Sequence, residues 1–85
     1  MKPDVETVAH ELCAHIRRHL LAPEVADQFD ATSSFRDCGL DSFALVELIL
    51  FAEQRFGLRL SERAMTPENL ASAEALARAL MRNAH

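Results

Sequence analysis

Residues 43–56 are more apolar than a helix with one buried face requires, and this stretch limits the chain more than any other feature. Leu45, Leu48, Ile49, Ala52 and Phe56 make one apolar face at helical spacing, while Phe43, Val46 and Leu50 make a second stripe offset from it. A helix apolar nearly all round is either fully buried or offers its spare face to a partner. Full burial is hard to arrange in 85 residues, since a chain of this size buries only about 60–65% of its unfolded surface. The expected object is therefore a small helical bundle with one apolar stripe left outside. Gly57 follows the run and suits the left-handed geometry that ends a helix.

Two more helices follow from periodicity. Val5, Val8, Ala9, Leu12, Cys13, Ile16 and Leu20 recur at spacings of three and four, predicting a helix over about residues 4–20. Arg17, Arg18 and His19 suit the negative end of its dipole. Near the C-terminus Ser72 is placed to cap a last helix whose Ala73, Leu76, Ala77, Leu80 and Met81 face inward. Between the first two, residues 21–40 have a loop composition in which Pro23 discourages further helix, and Val25, Phe29 and Phe35 are expected to pin the segment across the bundle. Leu58-Arg59-Leu60 is too short to stand as a strand without a partner and reads as a buried crossing segment. Residues 66–70 read as one helical turn, with Thr66 as cap and Pro67 first in the helix. The predicted fold class is all-α: a small four-helix bundle of three main helices and one short one, with a long loop between the first and second, residues 1–85 forming one domain.

Charge and cysteine usage narrow the function. The formal net charge is −4 and the nine basic residues are dispersed, with no Trp or Tyr to stack on bases. That argues against a nucleic-acid partner, which draws on clustered Lys and Arg; a helix-turn-helix binder is a third choice behind the readings below. No apolar run approaches the roughly 20 residues that span a membrane, and residues 1–6 lack a signal peptide's apolar core, so a soluble cytoplasmic protein is expected. Cys13 and Cys38 lack metal or redox spacing and read as free thiols. His15 and His19, with Glu11 on the same side, fall short of a metal-ligand set and read as solvent-facing residues; no metal is expected.

The run Gly39-Leu40-Asp41-Ser42-Phe43 stands where the loop gives way to the second helix. A serine nucleophile of a hydrolase needs a base and an oxyanion hole, and usually sits in Gly-x-Ser-x-Gly. Here Gly39 and Phe43 do not fit that pattern, and the four histidines, at 10, 15, 19 and 85, lie near the termini. At a helix start, Asp41 and Ser42 also suit simple capping.

Taken with its position, mid-chain between matching helices, the Asp41-Ser42 motif resembles the attachment site of acyl and peptidyl carrier proteins, and the resemblance covers nearly the whole chain. It implies that Ser42 holds a 4'-phosphopantetheine arm, delivered from coenzyme A by a phosphopantetheinyl transferase, and that Asp41 serves transferase recognition. It further implies a docking face of Phe43, Val46, Glu47, Leu50 and Glu53, extended by Leu70. No catalytic residue is implied: the protein is a monomeric substrate of other enzymes. Around the serine, Phe43 stands where fatty-acid carriers more often have Leu or Met, and Gln54 and Arg55 follow Glu53 where those carriers run acidic. The motif looks like that of discrete D-alanyl and other aminoacyl carriers. The expected function is a stand-alone acyl or aminoacyl carrier in a specialised biosynthetic pathway, loaded by an adenylating ligase and unloaded by an acyltransferase, synthase or condensing enzyme. A fatty-acid or polyketide carrier is the alternative. A helical interaction module that never takes a prosthetic group is the rival of another class.

Overall fold

The computed structural model describes residues 3–82. Its first helix, α1 (Val5–His19), begins where Asp4 adopts extended backbone and its carboxylate accepts the Thr7 N–H at 2.7 Å. The same backbone hydrogen bond holds the Asp4 carboxyl below its usual range. Val8, Ala9, Leu12, Cys13 and Ile16 are buried on one face, as their spacing requires. Cys13 and Cys38 are free thiols, buried and half-buried respectively.

The long loop departs from expectation at its start. Pro23 does not end helical structure but opens a one-turn helix, α2 (Pro23–Ala26), where a missing N–H costs nothing. The N–H groups of Val25 and Ala26 both donate to the Ala22 carbonyl at 3.0 Å. Val25 rides on this turn and is 38% exposed, so it is no anchor. The pinning falls to Phe29 and Phe35, both buried, and to Leu40. Arg17 reinforces it, donating from Nε at 3.2 Å and from Nη2 to the Phe29 carbonyl. The N–H of Phe35 donates to the Ala71 carbonyl at 2.8 Å and that of Glu74 to the Ala31 carbonyl at 2.9 Å, which fastens the loop to the start of the last helix.

Helix α3 (Ser42–Phe56) ends at Gly57, whose φ of 70° is left-handed and whose N–H closes on the Glu53 carbonyl at 2.8 Å. A Cβ at Gly57 would meet no heavy atom within 4 Å. Gly57→Ala is therefore expected to cost about 1 kcal/mol in urea denaturation, all of it conformational. Glu11 pairs with Arg55 at 3.2 Å and His15 lies 3.9 Å from Glu47, so the early residue of α1 meets the late residue of α3 and the two helices run antiparallel.

Leu58 and Leu60 are buried with Arg59 exposed between them, a crossing segment as read. The short helix of this region is a 3-10 turn at Glu62–Ala64, capped by Ser61. Residues 66–70 form a hydrogen-bonded turn rather than a helix: Thr66 Oγ1 accepts the Asn69 N–H at 3.2 Å and the Thr66 carbonyl accepts the Leu70 N–H at 3.0 Å. Only that one helical bond closes before the chain turns into the next cap, and the Asn69 side chain is drawn back to the Ala64 carbonyl at 2.9 Å. Ser72 Oγ then accepts the Ala75 N–H at 3.1 Å and starts α4 (Ala73–Arg82), which buries Ala73, Leu76, Ala77, Ala79 and Leu80. Met81 is half-buried. The fold is all-helical, with no strand among the described residues: α1, α3 and α4 surround one core, and the short elements close it.

Candidate functional site

The approach to α3 is a series of backbone turns. Cys38 N–H donates to the Ser34 carbonyl and Gly39 N–H to the Arg36 carbonyl, both at 3.1 Å, and Leu40 N–H to the Phe35 carbonyl at 3.0 Å. Gly39 takes a φ of 81°, which lets the chain reverse before Leu40 drops into the core. Asp41 follows in extended backbone, and its Oδ1 accepts the Ala44 N–H at 2.9 Å. Asp41 is thus the helix cap. Ser42 is the first helical residue, exposed, and its hydroxyl makes no hydrogen bond to any described residue. The N–H groups of Ser42 and Phe43 likewise find no acceptor there, leaving the positive end of a 15-residue helix open to an anion.

Along α3 the offset stripe is outside. Phe43, Val46 and Leu50 are 81%, 56% and 51% exposed, while Leu48 and Ala52 on the opposite face are buried and Leu45, Ile49 and Phe56 half-buried. Glu47 is exposed beside the stripe, and Glu53 is half-buried and within 3.6 Å of Arg59 Nε. Leu70 is half-buried and packs against the core, so it adds little to this surface. Met65, just after the 3-10 turn, is an exposed large apolar residue that sequence reasoning passed over, because nothing in its neighbours distinguishes it from Met81.

His15 corrects another expectation. It is not solvent-facing: α3 covers it, and its ring stacks on Phe51 with centroids 4.0 Å apart at 17°. No described histidine hydrogen-bonds Ser42, and His85 lies outside the described residues. Among the described residues no group of three or more His, Cys, Asp or Glu is placed to hold a metal ion. No helix of the described residues is long and apolar enough to cross a membrane. A hollow of about 480 Å³ lies between α1, α4 and residues 30–31, over Ala9 and Cys13; it includes no residue of α3, so it is not a chamber opening beside Ser42.

The exposed Ser42 hydroxyl at this corner is open to covalent modification. An unengaged, exposed hydroxyl on a helix start suits a phosphodiester: Ser42 lies outside the core, and two open N–H groups at a helix N-terminus favour an anion. A family model described as "phosphopantetheine attachment site" matches residues 10–80. Comparison with curated proteins finds no match.

Proposed function

The chain belongs to the phosphopantetheine-attachment family, whose domain binds 4'-phosphopantetheine covalently, and from that premise we propose that it is a stand-alone carrier of an aminoacyl or small acyl group, with Ser42 as the attachment residue. The observation that carries the assignment is the division of labour at the start of α3: Asp41 does the capping and leaves the Ser42 hydroxyl exposed and unengaged. In the transferase complex Ser42 Oγ forms the bond to the phosphorus of coenzyme A's phosphopantetheine, adenosine 3',5'-bisphosphate leaves, and the hydroxyl proton passes to the transferase. Asp41, one oxygen tied to Ala44, presents the other towards that enzyme. When bound, the arm supplies a terminal thiol that holds cargo as a thioester. The chain adds no catalytic group; it supplies an address and proximity, which raises the effective concentration of cargo at each partner.

Phe43, Val46 and Leu50, with Glu47 and Glu53 beside them, form the docking face. Three exposed apolar side chains suit a small, transient interface that can be released between successive partners. Leu70 contributes at most an edge. Favouring an aminoacyl or small acyl cargo over the fatty-acid alternative, α3 carries only two carboxylates, and one of them, Glu53, is shared with Arg59; strongly acidic faces steer carriers to basic enzymes. Partners under this reading are a phosphopantetheinyl transferase, an adenylating ligase, and a downstream acyltransferase, synthase or condensing enzyme. Loading tests the cargo: a D-alanine-activating ligase with ATP is expected to charge the arm-bearing protein, and charging only by a malonyl-transfer enzyme with malonyl-coenzyme A would favour the alternative.

Phe43→Glu and Leu50→Glu test the face. Both positions are exposed, so stability should change by no more than about 0.5 kcal/mol. The rate of charging should fall by about tenfold or more, as expected for truncating or charging a central interface residue. Unchanged charging in both variants would move the docking face elsewhere.

A further inference from the structure

His15 sits in a place where a phenylalanine would pack as well. Its side chain is only 15% exposed, its ring stacks on Phe51, and Nε2 is buried without a hydrogen-bond partner. Such an atom is normally costly. Oε1 of Glu47 lies 3.9 Å from it, slightly too far for a hydrogen bond. Glu47 is one of the two carboxylates beside the exposed stripe of α3.

The charged and titratable groups around His15 come from both helices. From α1, the His19 ring lies 4.9 Å away between centroids and Arg18 is close enough to repel a proton; from α3 comes Glu47, which attracts one. Glu11 of α1 is engaged by Arg55 of α3. Burial, then His19, hold the His15 imidazole below its ordinary value, with Glu47 pulling the other way and Arg18 adding to the depression. The ring therefore favours its uncharged form at neutral pH.

We propose that His15 is a proton-operated latch on the docking face: uncharged, it leaves the Glu47 carboxylate free for a basic side chain of a partner, and protonated at Nε2 it donates that N–H to Glu47 Oε1 and neutralises the position. One proton is taken up and one hydrogen bond forms; a side-chain shift of under about 1 Å closes the gap. The latch rests on the reading of the α3 stripe as a docking face. It adds a regulation of that face: a basic partner's hold on Glu47 weakens as pH falls through a window below the ordinary imidazole value of about 6.5. It also accounts for a polar ring in the α1–α3 seam, where packing alone gains nothing from a nitrogen.

The test is an NMR titration of the protein without its arm, from about pH 8 to about pH 5, following the His15 ring and the α3 backbone amides. His15 is expected to titrate below the ordinary value, with the Val46, Glu47 and Leu50 amides moving at the same midpoint. Glu47→Gln should lower that midpoint further, because it removes the one attracting charge. His15→Phe should keep the ring stack and abolish the response of the stripe. A midpoint unmoved by Glu47→Gln, or a stripe that titrates in His15→Phe as in the parent, would overturn the latch. Neither result depends on modification of Ser42, so a failure of the carrier assignment, seen as absent arm attachment, remains distinguishable from a failure of the latch.

Discussion

Ser42→Ala is expected to fold like the parent and to accept no phosphopantetheine. The hydroxyl makes no hydrogen bond to any described residue, so its removal should shift stability by no more than about 0.5 kcal/mol. Asp41→Ala is the informative contrast. It deletes the bond to the Ala44 N–H and should cost about 1 kcal/mol as a lost cap, while leaving an acceptor serine that is modified more slowly. Urea denaturation and the mass after transferase treatment separate the two effects residue by residue. If the chain were an interaction module with no prosthetic group, both substitutions would act through stability alone. Complete loss of modification with an intact fold is the outcome that only a carrier gives.

Phe35→Ala is expected to have the largest effect on the fold. The ring is 2% exposed and lies nearly parallel to Phe29, with centroids 6.4 Å apart. Its own backbone joins the loop to the Ala71 carbonyl on one side and to Leu40 on the other, just before the site. Removing a buried aromatic ring costs about 3–5 kcal/mol. A chain of this size has only about 4–13 kcal/mol in total, so Tm should fall by on the order of 20 °C. Val25→Ala, on the exposed turn of α2, should stay within about 0.5 kcal/mol of the parent. Equal effects of the two in a thermal melt monitored by circular dichroism would mean that the loop is not held as described. Because the loop delivers Asp41 and Ser42 to the start of α3, Phe35→Ala should also slow modification, through folding rather than chemistry.

The three main helices were legible because each spans several turns of apolar periodicity and carries a residue signal at an end: Arg17 to His19 closing α1, Gly57 ending α3, Ser72 starting α4. The exposed stripe of α3 was legible for a similar reason, since two apolar faces on one helix of a small bundle cannot both be covered. One-turn elements carry no periodicity, and here the same residues serve either outcome. Pro23 opens α2 as readily as it would end a longer helix, and Thr66 caps a turn that closes a single helical bond. Val25 is apolar and yet exposed; only the placement of α2 decides that. Arg17 reads as a charge at a helix end, and its tie to the Phe29 carbonyl has no sequence signature because the acceptor is backbone. His15 is the clearest miss: in sequence its neighbour is His19, four residues on, whereas its environment is set by Phe51 and Glu47, more than thirty positions away. Ser42 and Asp41 were legible as a motif at a loop-to-helix junction. Which of them caps the helix was not, since either side chain can do so, and that distinction is what leaves the serine free.

The central claim is that Ser42 takes a single phosphopantetheine arm. Its most direct test is the intact mass of the folded, unmodified protein after incubation with coenzyme A, magnesium and a broad-specificity phosphopantetheinyl transferase, followed by peptide mapping. The account predicts a gain of one arm per chain, located on Ser42. No gain, or an arm on any other residue, would contradict it.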